Sequence, residues 1–84
     1  MNYSLSILPS AERDCDSLPN KVYERCYKAV LKLESNPRPP GCQKLVGEEG
    51  YRIRVGDYRI LYRIDDFQKK IFLYRVKHRK EVYR

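Results

Sequence analysis

Arginine alternates with apolar residues through the segment YRIRVGDYRILYRI, residues 51–64. Two alternating runs flank Gly56 and Asp57, a pattern that predicts two antiparallel strands joined by a two-residue turn. In that register Arg54 lies opposite Arg59, and Gly56 takes the positive φ of a type II′ turn. One face of the hairpin then carries four arginines and no acidic residue: Arg52, Arg54, Arg59 and Arg63.

These four arginines are suited to holding an anion. Like charges that face each other destabilise a sheet, and the planar guanidinium matches the geometry of a phosphate. The alternative is a plain solvated surface, because basic residues are common on the outward face of an amphipathic strand. Anion binding is favoured here because every charge on the face is an arginine.

The net charge of +7 is distributed unevenly along the chain. Residues 1–50 contain seven basic and seven acidic side chains, whereas residues 51–84 contain eleven basic and four acidic ones. Positive charge concentrated in one segment predicts a surface for nucleic acid or for an acidic protein. A membrane surface is disfavoured, because no basic amphipathic helix or lipidation motif accompanies the charge.

The cysteines and the apolar runs exclude several classes of function. Cys15, Cys26 and Cys42 are odd in number and lack the paired spacing of zinc or redox motifs. They are therefore predicted to pack in the core, and no metal or other cofactor is expected. No apolar run is long enough for a signal peptide or a membrane span, so a reducing cytoplasm is expected.

The segments before the hairpin predict a strand and two helices. Residues 3–8 alternate in polarity, which predicts a strand, and Ser10 is expected to cap the short helix that follows. A second helix is predicted from Pro19 to about Ser35. Its apolar stripe, which must cover a sheet, consists of Val22, Cys26, Ala29, Val30 and Leu33.

The other segments predict a crossing loop and further strands. Residues 36–41, NPRPPG, end the second helix because their three prolines lack amide donors, and residues 42–46 predict a short strand. Residues 70–77, KIFLYRVK, predict a strand whose register stays open, because its two faces are nearly equally apolar. One face carries Ile71 and Leu73, and the other carries Phe72, Tyr74 and Val76.

These elements predict an α+β fold for one domain spanning residues 1–84. An N-terminal strand is followed by a helical hairpin and then by an antiparallel meander of three or four strands, with the helices packed on one face of the sheet. The other face stays open, and function is expected there. The tail, HRKEVYR, is expected either to fray or to close the edge of that site.

The chain resembles the RelE branch of the RelE/ParE superfamily of toxins. The motifs that carry the resemblance are PSAERD, NPRPPG, GYRIRVGDYRILYRIDD and RVKHRKEVYR, which span nearly the whole chain in the family's order. The resemblance implies a toxin of a type II toxin-antitoxin system. It also implies a metal-free, ribosome-dependent endoribonuclease that cuts mRNA in the ribosomal A site and is neutralised by a RelB-like antitoxin.

By the same resemblance, the family's catalytic positions correspond to Arg52, Arg54, Arg59, Arg79 and Tyr83. Arg52 and Arg54 differ from the best-characterised RelE, which has lysine at both of these positions. The neighbouring basic residues are predicted to contact RNA: Lys44, Arg63, Lys77 and Lys80.

Metal-free RNA cleavage uses the ribose 2′-OH as the nucleophile and needs a base, an acid and stabilisation of the charged transition state. Arginine, with a pKa above about 12, supplies only the last of these. His78 and Tyr83 remain as candidates for proton transfer, with Glu81 as a weaker third. A lone histidine is more often structural, and Tyr83 is equally suited to stacking on an unpaired base.

Two other classes of function stay open. A ParE-like toxin of the same architecture would inhibit DNA gyrase and cut nothing, although such an inhibitor needs no cluster of histidine, arginine and tyrosine at the C-terminus. A passive RNA-binding module would bind RNA in a salt-dependent manner and harm nothing.

Overall fold

The structure, a computed structural model, describes residues 2–82 of the 84-residue chain. Its elements in chain order are β1 Ser4–Ile7, α1 Pro9–Asp16, α2 Asn20–Leu33, β2 Gln43–Lys44, β3 Tyr51–Val55, β4 Tyr58–Asp65, β5 Lys70–His78 and α3 Arg79–Val82. The α+β architecture predicted from the sequence is confirmed. Among residues 2–82, no helix combines the length and the apolar composition needed to cross a membrane.

Within the described part of the chain, five strands form one sheet in the order β1-β5-β4-β3-β2. Strands β2 to β5 form the predicted antiparallel meander. Strand β1 lies at the far edge and pairs with β5 in parallel, from Ser4 opposite Lys70 to Ile7 opposite Leu73. The two helices therefore carry the chain from one edge of the sheet to the other.

The hairpin of β3 and β4 has the predicted register, with Arg54 opposite Arg59 and Val55 opposite Tyr58. Gly56 has a φ of 58°. Among residues 2–82, Lys69 is the only residue other than glycine that has a positive φ. Asp57 therefore has a negative φ, and the turn has the φ signs of type II′.

The core lies between the helices and one face of the sheet. The apolar stripe predicted for α2 is confirmed, because Cys26, Val30 and Leu33 are buried while Val22 and Ala29 are partly buried against them. The remaining buried members of this core are Ala11, Ile53, Ile60, Tyr62, Ile71, Leu73 and Val76.

The three cysteines pack at this core as predicted. Cys26 is buried in the core, and Cys15 and Cys42 are partly buried and pack against the core. Burial raises the pKa of the Cys15 and Cys26 thiols, which keeps both protonated near neutral pH.

A β-bulge fixes the register of β5, which the sequence left open. Tyr62 lies opposite Leu73, but Leu61 lies opposite Arg75, so Tyr74 is an extra residue on β5. The extra residue shifts the alternation by one position. Strict alternation would place Val76 on the face opposite Ile71 and Leu73. Because of the bulge, all three side chains are buried on the helix side of the sheet.

Helix α1 covers the edge of β5 beyond the end of β1. The Ser10 hydroxyl donates to the Tyr74 carbonyl oxygen at 2.6 Å, and Asp14 accepts from the Val76 amide at 2.8 Å and from Arg75 Nε at 2.7 Å. The prediction that Ser10 caps α1 is wrong. Leu8 occupies the cap position without a side-chain hydrogen bond, because the hydroxyl of Ser10 instead satisfies a backbone group at the bulge.

The proline-rich segment between α2 and β2 is tied to the sheet by two contacts. The buried Tyr62 hydroxyl donates to the Pro37 carbonyl oxygen at 2.7 Å, and its burial raises the pKa of Tyr62. Arg38 donates to both carboxylate oxygens of Asp66, at 2.8 and 3.2 Å, and its Nε donates to the Tyr51 hydroxyl at 3.2 Å. These bonds fix one wall of the cleft described next.

Candidate nucleic-acid interface

A cleft of about 570 Å³ lies between α2, the proline-rich segment and β3. Within residues 2–82, every charged side chain that lines it is basic. These residues are Arg25, Lys28 and Lys32 on α2, Arg52 and Arg54 on β3, and Arg59 on β4. The positive potential of six such side chains favours a ligand with several negative charges.

Two of the predicted arginines, both on β3, line this cleft. Arg52 and Arg54 are two residues apart, which places them on the same face of the strand, roughly 7 Å from each other. Nη2 and Nε of Arg52 donate to the Gln43 side-chain oxygen at 2.7 and 3.1 Å, and this fork orients the guanidinium. Arg54 is exposed.

Arg59 is in a different environment from the one its position on the open face suggests. Its exposed fraction is only 5%, and its Nη1 donates to the carbonyl oxygens of Gly56 and Tyr58 at 3.2 and 3.1 Å. The side chain thus folds back onto the hairpin turn. In this conformation Arg59 stabilises the turn and also lines the cleft.

Arg79 meets the same turn from the C-terminal side. Its backbone amide donates to the Asp57 carbonyl oxygen at 2.7 Å, and its Nε lies 4.0 Å from Asp57 Oδ1. The structure therefore brings Arg79 beside the turn that Arg59 holds. The guanidinium of Arg79 itself is exposed.

Of the two candidates for proton transfer, the structure describes only His78. The His78 ring packs edge-on against Tyr58, with 5.2 Å between ring centroids, and its Nδ1 accepts from the Lys80 amide at 3.3 Å. The His78 amide donates to Glu81 Oε1 at 3.4 Å. This places His78 on the helix-covered face of the sheet, together with Tyr58. Tyr83 lies outside the described residues.

The residues predicted to contact RNA are spread over the molecule. Lys77 lies directly across from Arg59 on β5. Arg63 instead stacks over the Tyr74 ring, 5.7 Å from its centroid, farther along the open face. Lys44 and Lys80 are exposed, on β2 and α3 respectively, and neither lines the cleft.

Sequence reasoning missed the contribution of α2. The net charge of residues 1–50 is zero, and this segment contains Arg25, Lys28 and Lys32. The distribution of charge along the chain therefore does not indicate that these three residues bind an anion. Their spacing of i, i+3 and i+7 places them on one stripe of a helix. A search for basic residues at helical spacing would have found them.

The family of the chain follows from comparison with known proteins. A family described as the ParE toxin of the type II toxin-antitoxin system parDE matches residues 5–83. The chain belongs to this family and is a toxin of the type II class.

Individual proteins similar to this chain are named RelE toxins. Toxin RelE of Mycobacterium tuberculosis is 33% identical over 84 residues, which cover 98% of this chain and 87% of that toxin. A chain of the archaeal RelE–RelB complex from Pyrococcus horikoshii is 32% identical, with a TM-score of 0.82 and 94% and 97% coverage of this chain and that one. The isolated E. coli RelE toxin is 28% identical, with a TM-score of 0.79 and coverage of 96% and 90%. The resemblance to RelE seen in the sequence is confirmed.

Proposed function

We propose that this toxin is a ribosome-dependent endoribonuclease that cuts mRNA without a metal. The observation that carries the proposal is the cleft that, among residues 2–82, is lined by six basic side chains and no acidic one, next to the turn that both Arg59 and Arg79 contact. RNA is the polyanion that a RelE-like toxin would bind there.

In this reaction the 2′-oxygen of a ribose attacks the adjacent phosphorus while the bond to the 5′-oxygen breaks. Negative charge builds up on the phosphoryl oxygens during the attack, and guanidinium groups stabilise it. We assign that role to Arg52, Arg54 and Arg79, with Arg59 joining them if it leaves the turn. Arginine in place of lysine at positions 52 and 54 restricts these residues to charge stabilisation.

Proton transfer needs a different side chain. The packing of His78 against Tyr58 on the helix-covered face disfavours it as the base or acid. We therefore assign to Tyr83 the transfer of the proton from the 2′-OH to the leaving 5′-oxygen, so that its hydroxyl ends the step in the protonation state in which it began. Stacking on an RNA base is its alternative role.

The proposed protein partner is a cognate antitoxin of the RelB type. Solved RelE relatives from Pyrococcus horikoshii and E. coli form complexes with RelB. A basic cleft on a domain this small favours an acidic or amphipathic segment that folds as it binds. The ribosome is the second partner, since the proposed activity acts on translated mRNA.

The test is induced expression followed by primer extension on abundant mRNAs, with translation either running or blocked before induction. We expect discrete cleavages within codons that depend on translation. The exposed Arg54 gives the informative variant, because Arg54→Ala removes a cleft charge without removing a described hydrogen bond, and cleavage should fall at least tenfold. The matched control is Arg13→Ala on the exposed face of α1, which should cut like the wild type.

A gyrase inhibitor is the second candidate, because the matching family is described by the ParE toxin. Induction would then cause gyrase-linked DNA breaks, and mRNA would stay intact with translation running. That result would overturn the ribonuclease proposal.

A further inference from the structure

Helix α2 presents a row of positive charges to the cleft, which the arginines of β3 also line. Arg25, Lys28 and Lys32 all line the cleft and follow one another along the helix. With a rise of about 1.5 Å per residue, the row is roughly 10 Å long, enough for more than one phosphate of an extended strand.

No acidic side chain in the described part of the chain neutralises this row. Among residues 2–82, no carboxylate lies within 4.0 Å of the charged groups of Arg25, Lys28 or Lys32. The acidic residues that do form ion pairs lie elsewhere: Asp14 binds Arg75, and Asp66 binds Arg38. Unpaired cations that share one cleft repel each other and are stabilised by a bound polyanion.

The row also reaches the turn of the hairpin. A Cβ added to Gly56 would lie 3.2 Å from Nη1 of Arg25, so this guanidinium packs against the turn that Arg59 and Arg79 contact. The positive charge is therefore continuous from α2 to the residues assigned to the reaction. Side chains on both walls of the cleft can contact the same strand.

We propose that α2 forms a second phosphate-binding track, which holds the RNA backbone next to the phosphate that is cut. The proposal deepens the proposed function and rests on it for the identity of the polyanion as RNA. RNA fits the cleft because its charges recur at regular intervals and because both walls are basic. An acidic segment of the antitoxin is the competing ligand, and the test distinguishes it.

The test measures binding of a fluorescent single-stranded RNA by anisotropy over a range of salt concentrations. All of its riboses carry 2′-O-methyl groups, so the probe cannot be cut. The cleft variant is Lys28→Gln/Lys32→Gln, in which both substituted side chains are exposed. The control is Arg13→Gln/Lys70→Gln, which lowers the net charge equally at two exposed residues outside the cleft.

The cleft variant should bind the probe at least tenfold more weakly than the wild type. The slope of log affinity against log salt should fall by about 1.4, since each phosphate contact to a single strand contributes about 0.7. The control should stay within about twofold of the wild type and keep its slope. Equal losses in the two variants would mean that only net charge matters, and the track would be refuted.

A second arm uses vacant ribosomes without mRNA in place of the probe. Weaker binding of the cleft variant to the probe supports the track, because the probe stands for the substrate strand. Weaker binding to ribosomes alone would assign the phosphates to ribosomal RNA and would refute a track beside the phosphate that is cut. Unchanged binding in both arms overturns it, and a loss of affinity only for a RelB-type antitoxin would assign the cleft to that partner instead.

The two proposals fail in different ways. If the wild type cuts mRNA and the cleft variant binds and cuts equally well, only the track is wrong. If the wild type cuts no mRNA but the cleft variant still loses RNA affinity, the ribonuclease is wrong and the RNA-binding track stands.

Discussion

The backbone amide of Arg79 donates to the carbonyl oxygen of Asp57 at 2.7 Å, which joins the start of α3 to the hairpin turn. The guanidinium of the same residue is exposed and lies at the limit of ion-pair distance from the Asp57 carboxylate. The main chain of Arg79 thus supplies the structural contact, and its side chain is available for another role.

This division of roles predicts the effect of Arg79→Ala. The amide bond to Asp57 is kept, and an exposed ion pair at 4.0 Å contributes little, so the melting temperature should change by no more than about 2 °C. Cleavage of mRNA and growth arrest should be lost, because the guanidinium is assigned to the phosphate. Circular dichroism and primer extension at equal expression measure the two effects. Wild-type toxicity of this variant would remove Arg79 from the site.

Arg59→Ala should behave differently from Arg79→Ala. Arg59 is nearly fully buried and donates to the carbonyl oxygens of Gly56 and Tyr58. Its removal leaves acceptors at the turn without this donor, which costs about 1–3 kcal/mol in the free energy of unfolding. Urea denaturation measures the loss, and a stability equal to that of the wild type would show that these hydrogen bonds contribute nothing.

The hairpin was predictable because its register depends on local features. The two alternating runs and the Gly56–Asp57 turn suffice to pair Arg54 with Arg59. The burial of Arg59 was not predictable, since it depends on carbonyl groups of the turn that only the folded backbone presents.

Two other features depend on contacts between distant segments. The bulge at Tyr74 accompanies bonds from Ser10 and Asp14 on α1, so no alternation within residues 70–77 could reveal it. The basic cleft combines α2 with β3, which a count of charge along the chain assigns to separate halves. Both features arise from tertiary packing.

The stability of the protein should depend on pH through Asp66. Hydrogen bonds from Arg38 and then from the Tyr3 hydroxyl, at 2.6 Å, hold the pKa of Asp66 at about 2, below the value of about 3.9 in an unfolded chain. A lowered pKa stabilises the fold above pH 4, and this stabilisation is lost as the pH falls from about 4 to about 2. Asp14 adds to the loss in acid. Its partial burial would raise its pKa, but bonds from Arg75 and the Val76 amide outweigh that effect and lower it.

The variant Asp66→Asn isolates this contribution. It should be less stable than the wild type at pH 7, and it should lose less stability between pH 5 and pH 2, because position 66 no longer titrates. Urea denaturation at a series of pH values measures both effects. The control is Asp16→Asn on α1, a residue that forms no ion pair within residues 2–82, and its profile should match that of the wild type. Parallel profiles for Asp66→Asn and the wild type would contradict the assignment.

Two substitutions at Tyr83 separate a role in proton transfer from a role in stacking. Tyr83→Phe removes the hydroxyl and keeps the aromatic ring, whereas Tyr83→Ala removes both. If the hydroxyl moves the proton, phenylalanine should reduce the cleavage rate by about 10²-fold or more, the usual contribution of general acid–base catalysis. The affinity for the uncut RNA probe should then stay within about twofold of the wild type. Near-normal cleavage by Tyr83→Phe, with loss of both cleavage and affinity in Tyr83→Ala, would instead establish stacking and exclude the hydroxyl from the reaction.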